Sequence, residues 1–146
     1  MKKEIAAVLV IILGFALIQT LQLGQWGGGR PGPVLQQADD STFAEEVAES
    51  GEWTLVKFWA PWCDACRRLM PTVTSLAEEK REELTVLTVN VDEAPATVQA
   101  FGVQPIPCLV LMRNGQEVDR MIGVHPRPVL AAWIEGFMAR TASTSL

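Results

Sequence analysis

With 146 residues, of which 49% are hydrophobic and 20% charged, the chain has enough apolar side chain for one domain with a packed core plus an accessory segment. A formal net charge of -5 and a pI near 4.9 leave no electrostatic footprint for nucleic acid or anionic lipid, which excludes both as partners. The three cysteines cannot all pair within one chain, and the close pair Cys63 and Cys66 leaves Cys108 over.

Residues 1–4, with Lys2 and Lys3, lead into an uncharged apolar stretch from Ile5 to Leu23. As a helix it would span roughly 28 Å at about 1.5 Å per residue, close to the hydrocarbon thickness of a bilayer. A transmembrane signal-anchor helix is therefore expected over 5–23. A cleaved signal peptide is the rival reading, although no small-x-small site follows Ile18, and a buried soluble helix is a third. The lysines before the segment, with no further basic residue until Arg30, place the N-terminus in the cytoplasm and the domain on the far side. Gly24 to Pro33, with Gly27-Gly28-Gly29 and Pro31-Gly32-Pro33, reads as a flexible linker that stiffens toward its end.

Val34 to Gln37 fits a short first strand, and Thr42 with Glu45 forms a capping-box pattern for a helix that runs to about Ser50 and ends at Gly51. Thr54 to Trp59 is apolar, β-branched and aromatic, as a buried strand is. From Cys66 onward Leu69, Met70, Val73, Leu76 and Ala77 recur at helical spacing, so Cys63 falls at the first turn of a helix. There the unpaired N–H groups and the positive end of the helix dipole favour the Cys63 thiolate. Cys66 lies one turn deeper, close enough to bridge but shielded from solvent. Cys63 is then the attacking sulfur, and Cys66 resolves the mixed disulfide. Leu84 to Val91 reads as a central strand, Pro95 to Phe101 as a short helix ended by Gly102, and Cys108–Met112 with Glu117–Ile122 as a hairpin about Asn114-Gly115. A last helix, about Pro128 to Ala139, should bury Leu130, Trp133 and Phe137. The alternation implies an α/β fold with a mixed sheet covered by helices on both faces; residues 34–140 form this domain and 141–146 a tail.

At this point the sequence resembles the thioredoxin family. Phe58-Trp59-Ala60-Pro61-Trp62-Cys63 looks like its active-site approach, and Pro71 like the proline that kinks its active-site helix. Val91-Asp92 and Pro95 are similar to the end of its third strand, Ile106-Pro107 to the isoleucine and cis-proline facing its disulfide, and Gly123 to the glycine of the neighbouring groove. The resemblance implies the thioredoxin fold, a catalytic Cys63/Cys66 dithiol, and substrate binding by Trp62, Ile106, Pro107 and Gly123. It also implies protein substrates with disulfides or thiols, an upstream electron donor, and no cofactor or metal. In a bacterial cell the anchored domain would face the periplasm or the cell exterior.

Two departures bear on redox tuning. Asp64-Ala65 stands where ordinary thioredoxins have Gly-Pro; the carboxylate either opposes thiolate formation at Cys63 or serves as an anion in a helix's first turn. Lys57 stands where the resemblance implies a buried aspartate, and Thr88 where it implies that aspartate's lysine partner. If the ammonium points under the dithiol it stabilises thiolate and makes the couple more oxidising; if its stem runs outward it does nothing. Cys108 reads as a buried inert thiol or a substrate-contacting one, His125 as a surface or capping residue or a proton carrier, and Trp59 as core packing. A zinc site would have to recruit Cys108 and His125 beside the pair. Covalent haem attachment is disfavoured because Arg67 follows Cys66. The preferred reading is a thiol–disulfide oxidoreductase, reductant before oxidant. The alternative is a binding module or chaperone that holds unfolded partners in the groove around Trp62, Ile106 and Gly123.

Overall fold

A computed structural model describes residues 34–142, so the expected anchor at 5–23 and the linker at 24–33 lie outside the described residues. Strand β2 (Trp53–Trp59) is the spine of the sheet, because its apolar and β-branched residues are buried on both faces. It pairs in parallel with β3 (Leu84–Asn90) and antiparallel with β4 (Cys108–Arg113). The edges are β1 (Gln36–Ala38), parallel to β3, and β5 (Gln116–Ile122), antiparallel to β4, giving the order β1-β3-β2-β4-β5. The β4–β5 turn is Asn114-Gly115, with φ of 49° and 78°, the pair of positive values that a two-residue hairpin turn needs to match strand twist.

Among the described residues four helices cover the faces: α1 (Phe43–Glu49), α2 (Asp64–Glu79), α3 (Pro95–Phe101) and α4 (Arg127–Ala142). Leu69, Val73, Leu76 and Ala77 of α2 and Leu130 and Ile134 of α4 pack with Trp53, Leu55, Val86, Leu109 and Leu111 on one face. On the other, Val56, Phe58, Leu87, Val89, Cys108, Val110 and Met112 meet Phe43 and Val47 of α1 and Val98 and Phe101 of α3. This is the mixed sheet between helices that the alternation of elements implies. Among the described residues no helix is long and apolar enough to cross a membrane.

Three local expectations are corrected. The capping box at Thr42 does not form: its hydroxyl instead accepts the Asp39 N–H at 3.1 Å, while the Asp39 carboxylate accepts the N–H groups of Ser41 and Thr42 at 2.8 and 3.1 Å. Met70, assigned to the apolar stripe of α2, is only half-buried and turns its sulfur to a polar neighbour described below. On α4 the fully buried residues are Leu130 and Ile134. Trp133 and Phe137 are half-buried, and the Trp133 indole N–H donates to Asp119 at 2.8 Å, which holds its polar edge outward.

Candidate active site

The C-terminal end of β2 runs through Ala60, which is wholly buried, into the N-terminus of α2. Cys63 is the N-cap of that helix, with extended backbone (φ -89°, ψ 101°), and its sulfur accepts the Cys66 N–H at 3.1 Å. A side chain at this position receives one of the helix's orphan donors, and a sulfur there is favoured as an anion when reduced. Cys63 and Cys66 are joined as a disulfide with their Cα atoms 5.2 Å apart. Cys63 keeps 7% of its surface and Cys66 none, so an incoming sulfur meets Cys63 first. Pro71 lies inside α2, where it lacks the N–H that would bond back to Arg67.

Ile106 packs against the cluster of Ala60, Cys63 and Cys66, together with Trp59, Ala65 and Val91. The Ile106–Pro107 peptide is cis, and the Pro107 carbonyl accepts the Gly123 N–H at 2.8 Å. Gly123 has φ +92°, a backbone region that side-chain-bearing residues avoid. The fold thus draws Cys63, Cys66, Ile106, Pro107 and Gly123 from three separate segments to one end of the sheet. Trp62 stands beside them 66% exposed, its indole N–H held by the Asp92 carboxylate at 2.9 Å. Asp92 was readable only as the end of a strand; nothing in its sequence neighbourhood pointed to a residue thirty positions earlier.

Asp64 does not bear on Cys63 alone: it pairs with Arg67 one turn on, whose guanidinium also donates to the Pro61 carbonyl at 2.9 Å. Both partners are exposed, so solvent screens the pair. Arg67 entered the sequence reading only as the residue that argues against haem; its spacing to Asp64 is the signal that would have found this pair.

Lys57 shares a sheet face with Leu55 and projects toward α2 rather than outward. It is fully buried. Its ammonium donates to the Cys66 carbonyl at 3.2 Å, approaches the Met70 sulfur at 3.5 Å and lies 5.8 Å from the centre of the Trp59 ring. Burial pushes it down from its ordinary value near 10.5 to about 8. Thr88 is its register partner on β3 and donates its hydroxyl to the Gln36 carbonyl at 3.3 Å.

Cys108 is buried in the core on the other face, away from the helix that carries the dithiol, and burial pushes its thiol up, with Arg120 partly offsetting this. One ring nitrogen of His125 sits 2.8 Å from the Ile122 carbonyl, tying the loop before α4. Among the described residues no group of three or more His, Cys, Asp or Glu is arranged to hold a metal ion.

The thioredoxin family profile matches residues 34–136. The chain is 41% identical to thioredoxin 1 of Synechococcus elongatus over 98 residues, 67% of this chain and 92% of that one. It is 39% identical to thioredoxin 1 of Nostoc over 99 residues, 68% of this chain and 92% of the relative. It is also 36% identical to the thioredoxin of Rickettsia prowazekii over 101 residues, covering 69% and 96% respectively. A dithiol at a helix head, faced by Ile106 and a cis proline within the sheet order described above, occurs here inside the matched span: the chain belongs to the thioredoxin family.

Proposed function

We infer that this chain is a protein-disulfide reductase working through Cys63 and Cys66. The observation that carries this is the closed Cys63–Cys66 pair at the head of α2, its first residue slightly exposed and its second wholly buried. In the reduced state the Cys63 thiolate attacks a substrate disulfide, one substrate sulfur leaves as thiolate, and a mixed disulfide forms. Cys66 then attacks Cys63, the second substrate sulfur leaves, and two electrons have passed to the substrate. An upstream dithiol donor returns them. Ile106 and Pro107 offer the substrate backbone an edge to lie along, with Trp62 as an apolar platform and Gly123 leaving room beside it.

The domain is tethered to the inner membrane by residues 5–23 and spaced from it by 24–33, facing the periplasm or cell exterior. The length and apolarity of Ile5 to Leu23 and the lysines before it support this reading.

Two measurements test the two halves. In an insulin-reduction assay driven by dithiothreitol the full chain should precipitate insulin and Cys63→Ser should not; activity independent of Cys63 rejects the reductase. Expressed full chain should stay in the membrane pellet after an alkaline carbonate wash, and release into the supernatant rejects the tether.

A further inference from the structure

Lys57 is the buried titratable group that the exchange chemistry above does not use. Its head group lies against the backbone of Cys66, not Cys63, with the Met70 sulfur and the Trp59 ring as its other neighbours. Among the described residues no carboxylate pairs with it. The indole N–H of Trp59 is likewise buried without an acceptor, so this part of the interior holds donors and lacks an anion. A buried cation without a partner anion is costly, and one is retained where an anion forms next to it. Of the two cysteines that become anions during the reaction, Cys66 is the one whose backbone the ammonium touches.

We propose that Lys57 is a positioning residue for resolution of the mixed disulfide, its ammonium serving as counter-ion to the Cys66 thiolate that attacks Cys63. At that stage Cys63 is bonded to the substrate sulfur and carries no charge. The Cys66 thiol gives its proton to solvent and its sulfur attacks Cys63. The Cys63–Cys66 bond forms, and the Cys63–substrate bond breaks with its electron pair on the departing thiolate. The Lys57 head group is bonded to the carbonyl of Cys66, the residue that attacks in this step.

Among the described residues, the groups that contact or pair with Lys57 carry no other charge. From α2 they are Cys66 and Met70; from β3 and β4 its register partners are Thr88 and Leu109, neither of which titrates. On its own strand Trp59 is uncharged. At neutral pH the ammonium is the major form, since burial brings Lys57 only to about 8.

This inference rests on the dithiol reading above, and the two are separable by one experiment. Reduced full-length protein is mixed with Ellman's reagent, which releases one thionitrobenzoate when Cys63 attacks and a second when Cys66 resolves the mixed disulfide. In Lys57→Met, which keeps the stem's volume, the second release at neutral pH should slow at least about tenfold, and by clearly more than the first. The deficit should close as pH rises and the thiol ionises unaided, and Lys57→Arg, which restores a cation, should recover most of the second rate. An unchanged second release, an equal slowing of both, or no recovery with arginine overturns the role of Lys57 and leaves the reductase standing. Two-step release that persists in Cys63→Ser overturns the dithiol reading itself.

Discussion

Replacing Lys57 by methionine should stabilise the oxidised protein, and the size of the gain follows from its burial. In the unfolded chain the amine titrates near 10.5 and in the fold at about 8, a gap worth about 3 kcal/mol at about 1.4 kcal/mol per unit. Loss of the hydrogen bond to the Cys66 carbonyl and a small void where Nζ stood offset part of it, leaving about 1–3 kcal/mol. The sign has a pH signature. Because the folded value is depressed, the unfolded chain binds more protons between about 8 and 10.5, so wild-type stability climbs with pH through that window, and below it the full cost applies. Lys57→Met therefore gains most below about pH 8 and nothing by about pH 10.5. Urea unfolding of the oxidised proteins at both ends of the window reads this directly, with a midpoint displaced by about 1 M or more at neutral pH. No displacement there, or an equal one at both ends, would refute the claim that a charged amine is being held in the interior.

Leu69→Ala, which removes a wholly buried side chain between α2 and the sheet, should cost about 2–5 kcal/mol in the same unfolding experiment. Trp62→Ala should leave stability within about 1 kcal/mol, because two thirds of the ring already faces solvent, but should raise the KM for insulin. Little change in KM would remove Trp62 from the substrate platform. In the oxidised native protein Cys108 should resist iodoacetamide and react only once urea unfolds the chain, as mass spectrometry of the labelled peptide can follow; rapid native labelling would show that the thiol is reachable.

Much of the fold was legible because its signals are local. The apolar, β-branched run of Thr54 to Trp59, the Asn114-Gly115 turn and the run from Pro95 to Gly102 each reappear within a residue or two of their expected bounds. The dithiol was legible for the same reason, since a three-residue spacing at a helix head is written in one stretch of chain. Most of what escaped depends on partners distant in sequence. Strand alternation puts Lys57 on the face opposite Val56 and Phe58, but only the docking of α2 decides that this face is the one beneath Cys66. The Thr42 pattern fails for a local reason: Asp39, three residues earlier, takes the Thr42 N–H that Glu45 would accept and gives its own N–H to the Thr42 hydroxyl. Met70 obeys the helical period yet leaves the apolar set because Lys57 stands opposite it. Ile134 was passed over for its larger aromatic neighbours, whose size keeps them at the rim of α4.

The two outer strands carry a consequence of their own. β1 is three residues long, and β5 slips register between Leu111 and Met112 while presenting Glu117, Asp119 and Arg120 along its length. One border is too brief to recruit another chain, and the other is irregular and salted with charge, the pattern by which sheets avoid growing into ribbons. Among the described residues, copies crowded side by side on a surface would therefore meet no flat margin along which to fuse.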